Sequence, residues 1–246
     1  PPSLRRRYIE AETGALPSGT AVYGGSFIEA LHVRPTALIP DRPAVRFWDF
    51  GFRFPCVLFG QLDDRRRLYV HDEWLPFECA EEEFIRGAIV RTNERYGPRA
   101  CMDFGDPAAE QRDRTGTSTL QRLSNAGISL RFRQTTYADR IPLVNRLFAE
   151  LVDGLPRITI DPRCRTLIEA LAGGYHFPEL QEGRVVTRRT QEPVREPRWA
   201  DAANSLEYGL IGLYQPGQTA MQPYLKRKRE RMRHALAPVG RGLGTL

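Results

Sequence analysis

The stretch AVRFWDFGFRFPCVLFGQLDDRRRLYVHDEW, residues 44–74, decides how this chain folds. Three short runs rich in aromatic and branched side chains, 44–50, 56–62 and 67–74, are separated by Gly-Phe-Arg-Phe-Pro and by Asp63-Asp64-Arg65. Such runs bounded by Gly, Pro and Asp fit a pleated surface with tight turns, so the segment predicts three strands in an antiparallel meander. The spacing then becomes helical over 79–95, with Phe84, Ile85, Ala88 and Ile89 on one face. Farther on, strands are expected at 99–104, 129–133 and 157–160, and helices at 117–125, 138–152, 163–172 and 201–214. Residues 175–198 are polar and Arg-rich and read as a hairpin or a mobile loop. This order predicts an α/β fold in which a mixed sheet, the antiparallel meander plus parallel strands, is flanked by helices.

Outward from this block, residues 1–43 carry Pro, Gly, Ser and Arg with little periodicity and read as a lead-in from an upstream domain. The start at Pro1, without methionine, is what an excised or processed piece would show. The folded domain is expected over 44–216. Residues 217–246 form a basic tail containing LKRKRERMRH, whose charge density opposes packing.

At 246 residues, 41% hydrophobic and 27% charged, the chain can bury one substantial core. Its four cysteines form no C-x-x-C pair and no tight cluster with histidine, which disfavours a disulfide scaffold and a structural zinc site. No apolar run approaches the ~18 residues of a membrane span, so a soluble, intracellular protein with no membrane partner is expected. A formal charge of +6 favours a polyanionic partner. The only lysines, Lys226 and Lys228, do not follow a glycine, which excludes a phosphate-binding G-x-x-x-x-G-K-[ST] loop and its nucleotide hydrolysis.

The candidate chemistry lies in the acids. Asp49 sits at the end of an aromatic strand, where an unpaired buried carboxylate costs several kcal/mol; a turn cap before Gly51 is the plain alternative. Asp103 and Asp106 sit at a Gly-x-Pro turn, Gly105-Asp106-Pro107, where a structural role for one of them is expected. Asp201 precedes an apolar helix and has the chemistry of an N-cap, with Asn204 one turn on along the same face. Taken together, acids at the ends of two strands and the start of a late helix can converge on one sheet edge. Clustered carboxylates repel unless a divalent cation holds them, and oxygen-only ligands favour Mg²⁺ or Mn²⁺. Two such ions about 4 Å apart activate water and stabilise the leaving oxygen of a phosphodiester.

The order of elements, with WDFG at 48–51, GDPAA at 105–109, CRTLIEALAGGYHFP at 164–178 and ADAANSLEYGLIGL at 200–213, resembles the nuclease domain of the large terminase subunit of tailed bacteriophages. The resemblance runs from about Arg5 to Leu213 and rests on order and spacing more than on any one motif. It implies a ribonuclease H-like fold and a metal-dependent endonuclease that cuts concatemeric viral DNA during packaging in the host cytoplasm, leaving 5′-phosphate and 3′-hydroxyl ends. It also implies an ATPase domain upstream in the same polypeptide, with the portal protein, the small terminase subunit and double-stranded DNA as partners. Residue by residue, Asp49 matches the first-strand acid, Asp106 the acid of the D-P-A turn and Asp201 the acid or histidine before the final helix. Asn204 stands where many relatives have a further Asp, so it is a candidate metal ligand beside Asp201, and Asp103 is an alternative to Asp106. Arg184, Arg188, Arg189, Arg195 and Arg198 are either a solvated loop or a phosphate clamp beside the cleft. His71 and His176 read as ordinary core or surface histidines. A transposase or junction resolvase, or a non-catalytic DNA- or portal-docking module, are the competing readings.

Overall fold

The meander forms the middle of the sheet. In this computed structural model, which describes residues 19–99, 101–112, 116–179 and 192–215, a short helix α1 (Glu29–His32) leads to β1 (Ala44–Asp49), β2 (Cys56–Leu62) and β3 (Leu68–Trp74). These three strands pair antiparallel. Helix α2 (Glu81–Tyr96), with three glutamates in its first turn to complement the helix dipole, then crosses to β4 (Met102–Gly105), which lies parallel to β1. After α3 (Thr119–Asn125), β5 (Leu130–Arg131) pairs parallel with β4. Helix α4 (Tyr137–Ala149) and a small hairpin, β6 (Leu151–Val152) with β7 (Leu155–Pro156), lead to β8 (Ile158–Ile160), parallel to β3. The six-stranded order is β5-β4-β1-β2-β3-β8, the mixed sheet expected. The last elements are α5 (Arg165–Glu169), a wide turn at Ala170–Gly174, and α6 (Trp199–Tyr214).

Every residue of β1 is buried because helices cover both faces of this central strand. Val45 and Phe47 join Phe104 in a core completed by α4, α5 and α6, whereas Ala44 and Trp48 join Val57 and Phe59 under α2 and α3. Alternate residues of β1 therefore belong to opposite layers, as the twofold repeat of a strand requires. Helix α6 comes unusually close to the sheet: a Cβ on Gly209 would lie 2.0 Å from the Phe47 ring, and one on Gly212 2.4 Å from the Phe104 ring.

Several expected boundaries move. The stretch 19–43, read as lead-in, holds α1 and sends Val22, Tyr23 and Phe27 into the main core, so the core begins well before Ala44. The helix expected to 152 ends at Ala149, and the one expected over 163–172 is regular only over Arg165–Glu169, before the turn where Gly173 adopts φ 139°. The strand expected over 129–133 is two residues long. Residues 180–191 of the Arg-rich segment and the tail 217–246 lie outside the described residues.

Candidate functional site

The site begins with two adjacent strand ends. Because Trp48 is paired with Gly105 in the parallel ladder, Asp49 and Asp106 emerge side by side, and the Asp106 amide donates to the Trp48 carbonyl at 3.1 Å. Counting by two from Phe47 and Phe104 puts both carboxylates on the α6 face of the sheet. Asp106 also caps the short 3₁₀ turn Pro107–Glu110, its Oδ1 accepting from the Ala108 amide at 2.8 Å. Helix α6 is fixed to β1 by the Ser205 hydroxyl, which donates to the Phe47 carbonyl at 2.7 Å. One turn earlier, Asp201 is thereby brought to the same end of β1.

Asp201 is not the N-cap that its position before an apolar run suggests. The helix starts two residues sooner, at Trp199, and Asp201 accepts the Arg198 amide at 2.9 Å in a capping box. Arg198 adopts a left-handed φ of 74° to make this turn.

The three carboxylates share a field. Burial pushes Asp49 well above the ordinary carboxylate range, and the negative charges of Asp106 and then Asp201 push it further. Burial also raises Asp106, against the opposing pull of the Ala108 amide, Arg140 and Arg195, and raises Asp201 against the Arg198 amide. Among the described residues no hydrogen-bond donor is directed at the Asp49 carboxylate. Equally, no three His, Cys, Asp or Glu side chains among the described residues are drawn together tightly enough to form a ready-made ion cage. The donor chemistry nevertheless suits a hard divalent cation: oxygen ligands only, mutual repulsion to relieve, and a buried Asn204 Oδ1 that has no partner among the described residues, one turn along α6 from Asp201.

Asp103 does not belong to this group. It lies on the opposite face of β4, paired with Arg46 through Oδ1 to Nε at 2.6 Å and Oδ2 to Nη2 at 3.0 Å, and Oδ1 also accepts the Trp48 indole N–H at 2.8 Å. Three residues of separation in an extended chain reverse the side, so Asp103 cannot stand in for Asp106.

The comparisons with known proteins bear on this arrangement. No protein-family model matches the chain, and no curated protein matches it in sequence. Among solved structures, the large terminase of a thermophilic bacteriophage superposes with TM-score 0.61 at 14% identity, over 86% of this chain and 52% of that one. The same terminase in complex with ATP-γ-S gives 0.60 at 15% identity. The large terminase nuclease of thermophilic phage G20c with bound magnesium gives 0.51 at 16% identity, over 79% of this chain and 98% of that one. The chain has the fold of a phage large terminase nuclease. It spans about half the length of the first of these terminases.

Around this ribonuclease H-like frame lie groups that sequence reading missed. Arg140 on α4 is 4% exposed; its Nε donates to Glu207 Oε2 at 2.7 Å and its guanidinium lies 4.6 Å from the ring centres of both Tyr137 and Tyr208. Glu207 in turn accepts from the Tyr23 hydroxyl at 2.6 Å. A clue was available in Glu207, a charge inside the apolar run of α6 that demands a buried cation, but nothing in the sequence names which arginine.

Of the expected Arg cluster, Arg195 acts electrostatically on Asp106 and Arg198 opens α6, whereas Arg184, Arg188 and Arg189 fall outside the described residues. An open cavity of about 300 Å³ lined by Asp106, Glu110, Gln111 and Gln134 gives access to the acidic edge. His71 is fully buried against the Thr36 hydroxyl at 2.7 Å, with its pKa lowered to about 4 by burial and then by Arg95. His176 bonds the Gly174 carbonyl. Both are core residues. No helix among the described residues is long and apolar enough to cross a membrane.

Proposed function

We propose that the chain is the nuclease domain of a DNA-packaging large terminase, a metal-dependent endonuclease that hydrolyses a phosphodiester of double-stranded viral DNA by in-line attack of water. The observation that supports this reading is that Asp49, buried and with no donor among the described residues, ends β1 beside the strand that leads to Asp106 and feels the negative charge of both Asp106 and Asp201. Asp49 would be the ligand shared by two ions, with Asp106 completing one position and Asp201, assisted by Asn204, the other. Mg²⁺ or Mn²⁺ bound there would supply a water of lowered pKa and an electrophile for the phosphoryl oxygen. The sheet and α6 hold the carboxylates on rigid elements, and the buried walls around Asp49 limit solvent. Arg195 and Arg198, with Arg184, Arg188 and Arg189 of the same segment, are assigned to phosphate contacts, for which the guanidinium fork is suited. The upstream ATPase domain, the portal protein and the small terminase subunit are the partners that this reading implies.

The test is plasmid nicking. The domain should nick in Mn²⁺ and stop with EDTA, and Asp49→Ala should lose cleavage while its melting transition is kept. Retained Mn²⁺-dependent nicking by folded Asp49→Ala protein defeats the assignment. Preference for branched DNA would point to a resolvase, and no cleavage with retained DNA binding to a docking module.

A further inference from the structure

The Gly-Phe-Arg-Phe-Pro turn that follows Asp49 plays no part in the site described above. β1 and β4 run parallel and end at the carboxylates, β2 starts at Cys56 opposite Asp49, and β3 ends at Trp74 opposite Val57. The β1–β2 turn and the β3–α2 turn therefore crown the same end of the sheet as the acids. Phe52 stands three residues past Asp49, so their Cα atoms are at most about 11 Å apart. Across the sheet end the strand order β4-β1-β2-β3 places Asp106 and Asp49 first and the turn carrying Phe77 last, two strand spacings, roughly 10 Å, from β1 to β3.

These turns carry the most exposed large apolar side chains among the described residues: Phe52 is 69% and Phe77 59% exposed. Neither turn is loose. Phe77 packs on the half-buried Phe54 with ring centres 5.2 Å apart, and the Glu78 amide donates to the Arg53 carbonyl at 2.9 Å. Glu78 takes a left-handed φ of 46° to do so, a strained conformation that a residue with a side chain keeps only where its surroundings impose it. Apolar side chains held in water by a fixed backbone mark a contact surface. The chain continues from Phe77 into the exposed carboxylates of Glu78, Glu82 and Glu83, Glu82 being bonded to Arg122 at 2.7 Å. On this side a run of phosphates is repelled, whereas the uncharged face of a base is not.

We propose that Phe52 and Phe77 form a stacking platform for a base of the DNA strand beside the phosphate that is cut. The inference rests on the metal-nuclease reading above and names which part of the nucleic acid this end of the sheet receives. A span of roughly 10 Å covers about three nucleotides at a rise of 3.4 Å, so a strand held at the acids passes the phenylalanines within a few bases. Apolar side chains at such a place insert between base steps and unstack them, and an aromatic ring then receives the base whatever its identity.

The experiment compares the wild-type chain with Phe52→Ala, Phe77→Ala, Phe52→Leu and Phe52→Trp. The probes are supercoiled plasmid and a short duplex containing 2-aminopurine, whose fluorescence changes when the base leaves the stack. In saturating Mn²⁺ each alanine variant should raise the plasmid concentration for half-maximal nicking about tenfold, and Phe52→Ala should lose the fluorescence change seen on mixing wild type with the duplex. The Mn²⁺ requirement and the slope of log affinity against log salt should stay as in wild type, because no metal ligand and no phosphate contact is removed. Phe52→Trp should behave as wild type. Phe52→Leu, which keeps apolar area and loses the ring, should fall with alanine. Unchanged plasmid dependence in both alanine variants, beside a wild-type protein that nicks, overturns this inference alone, and is the result expected if the turns serve a protein partner. Wild-type behaviour of Phe52→Leu, or a shallower salt slope in Phe52→Ala, overturns stacking as the contact. Wild-type protein that does not nick in Mn²⁺ overturns the metal reading and this inference with it.

Discussion

Replacing Gly209 by alanine tests how the helix and the sheet jointly place the site. A Cβ at this position would sit 2.0 Å from Cγ and 2.3 Å from both Cδ atoms of Phe47, whose ring is 1% exposed and enclosed by the main core. Carbon atoms separate at about 3.5 Å, so α6 must retreat from β1 by roughly 1.5 Å or the ring must leave its rotamer. Overpacking of this kind costs ~3 kcal/mol, and the better helix propensity of alanine returns at most ~1 kcal/mol. A net loss of about 2 kcal/mol is expected, corresponding to a fall of about 4–8 °C in Tm for a domain of this size.

The same retreat strains the Ser205 bond to the Phe47 carbonyl and carries Asp201 away from Asp49. Misplacement of a reacting group by ~1 Å costs about 100-fold in rate, so nicking should fall far more than the fraction of unfolded protein explains. Gly25→Ala is the control, because a Cβ there meets nothing within 4 Å. Thermal melting and Mn²⁺-dependent nicking on the three proteins decide the matter, and Phe47→Leu in the Gly209→Ala background should recover part of both losses. A Gly209→Ala protein that melts and nicks like wild type would show that α6 does not seat on Phe47 as described.

Two further outcomes follow from the buried charges. Asp103→Ala should destabilise the fold by about 3–5 kcal/mol, because it strands the buried guanidinium of Arg46, yet leave the Mn²⁺ requirement of the residual folded protein unchanged; denaturant melts and metal titrations check the two halves. Asp49 has a folded pKa raised above its unfolded value, so the folded state binds the proton more tightly and loses stability as pH rises through the ordinary carboxylate range toward the folded pKa. In EDTA, Asp49→Asn should therefore be more stable than wild type at about pH 8, with the difference shrinking as the pH is lowered; a gap that is constant between about pH 4 and pH 8 would mean that Asp49 does not titrate among like charges.

The meander was legible because its strands are short, aromatic and punctuated by Gly, Pro and Asp, so pattern and turn chemistry agree. The strand ends that carry Asp49 and lead to Asp106 were legible for the same reason: each acid stands where an apolar strand runs out. What escaped was fixed by distant contacts. Tyr23 stands in an aperiodic segment and is buried through Glu207, 184 residues away, so residues 19–43 resemble a linker until the helix that covers them is known. Arg140 looks like one arginine among many on the polar side of a helix, and only the fold turns it inward against Glu207. The choice between Asp103 and Asp106 turned on the face of a four-residue strand, and Phe104 packing under α6 puts Asp103 on the opposite face, against Arg46.

The buried acids themselves separate structure from function. Asp103 is neutralised by Arg46 and bonded by Trp48, Glu207 by Arg140 and Tyr23, and Asp161 accepts from Thr36 and Arg163; the half-buried Glu73 likewise accepts the Thr166 and Leu167 amides. Each is satisfied within the fold, and each could be explained with no reference to catalysis. Asp49 is buried as well, beside two further carboxylates, and no described donor serves it. A fold that finds partners for three buried acids and leaves the fourth among like charges is carrying an unfavourable contribution that folding alone does not require. In the proposed function the missing partner would be a divalent metal ion, cationic, small enough to be reached by oxygens from two strand ends and a helix start, and supplied from solution.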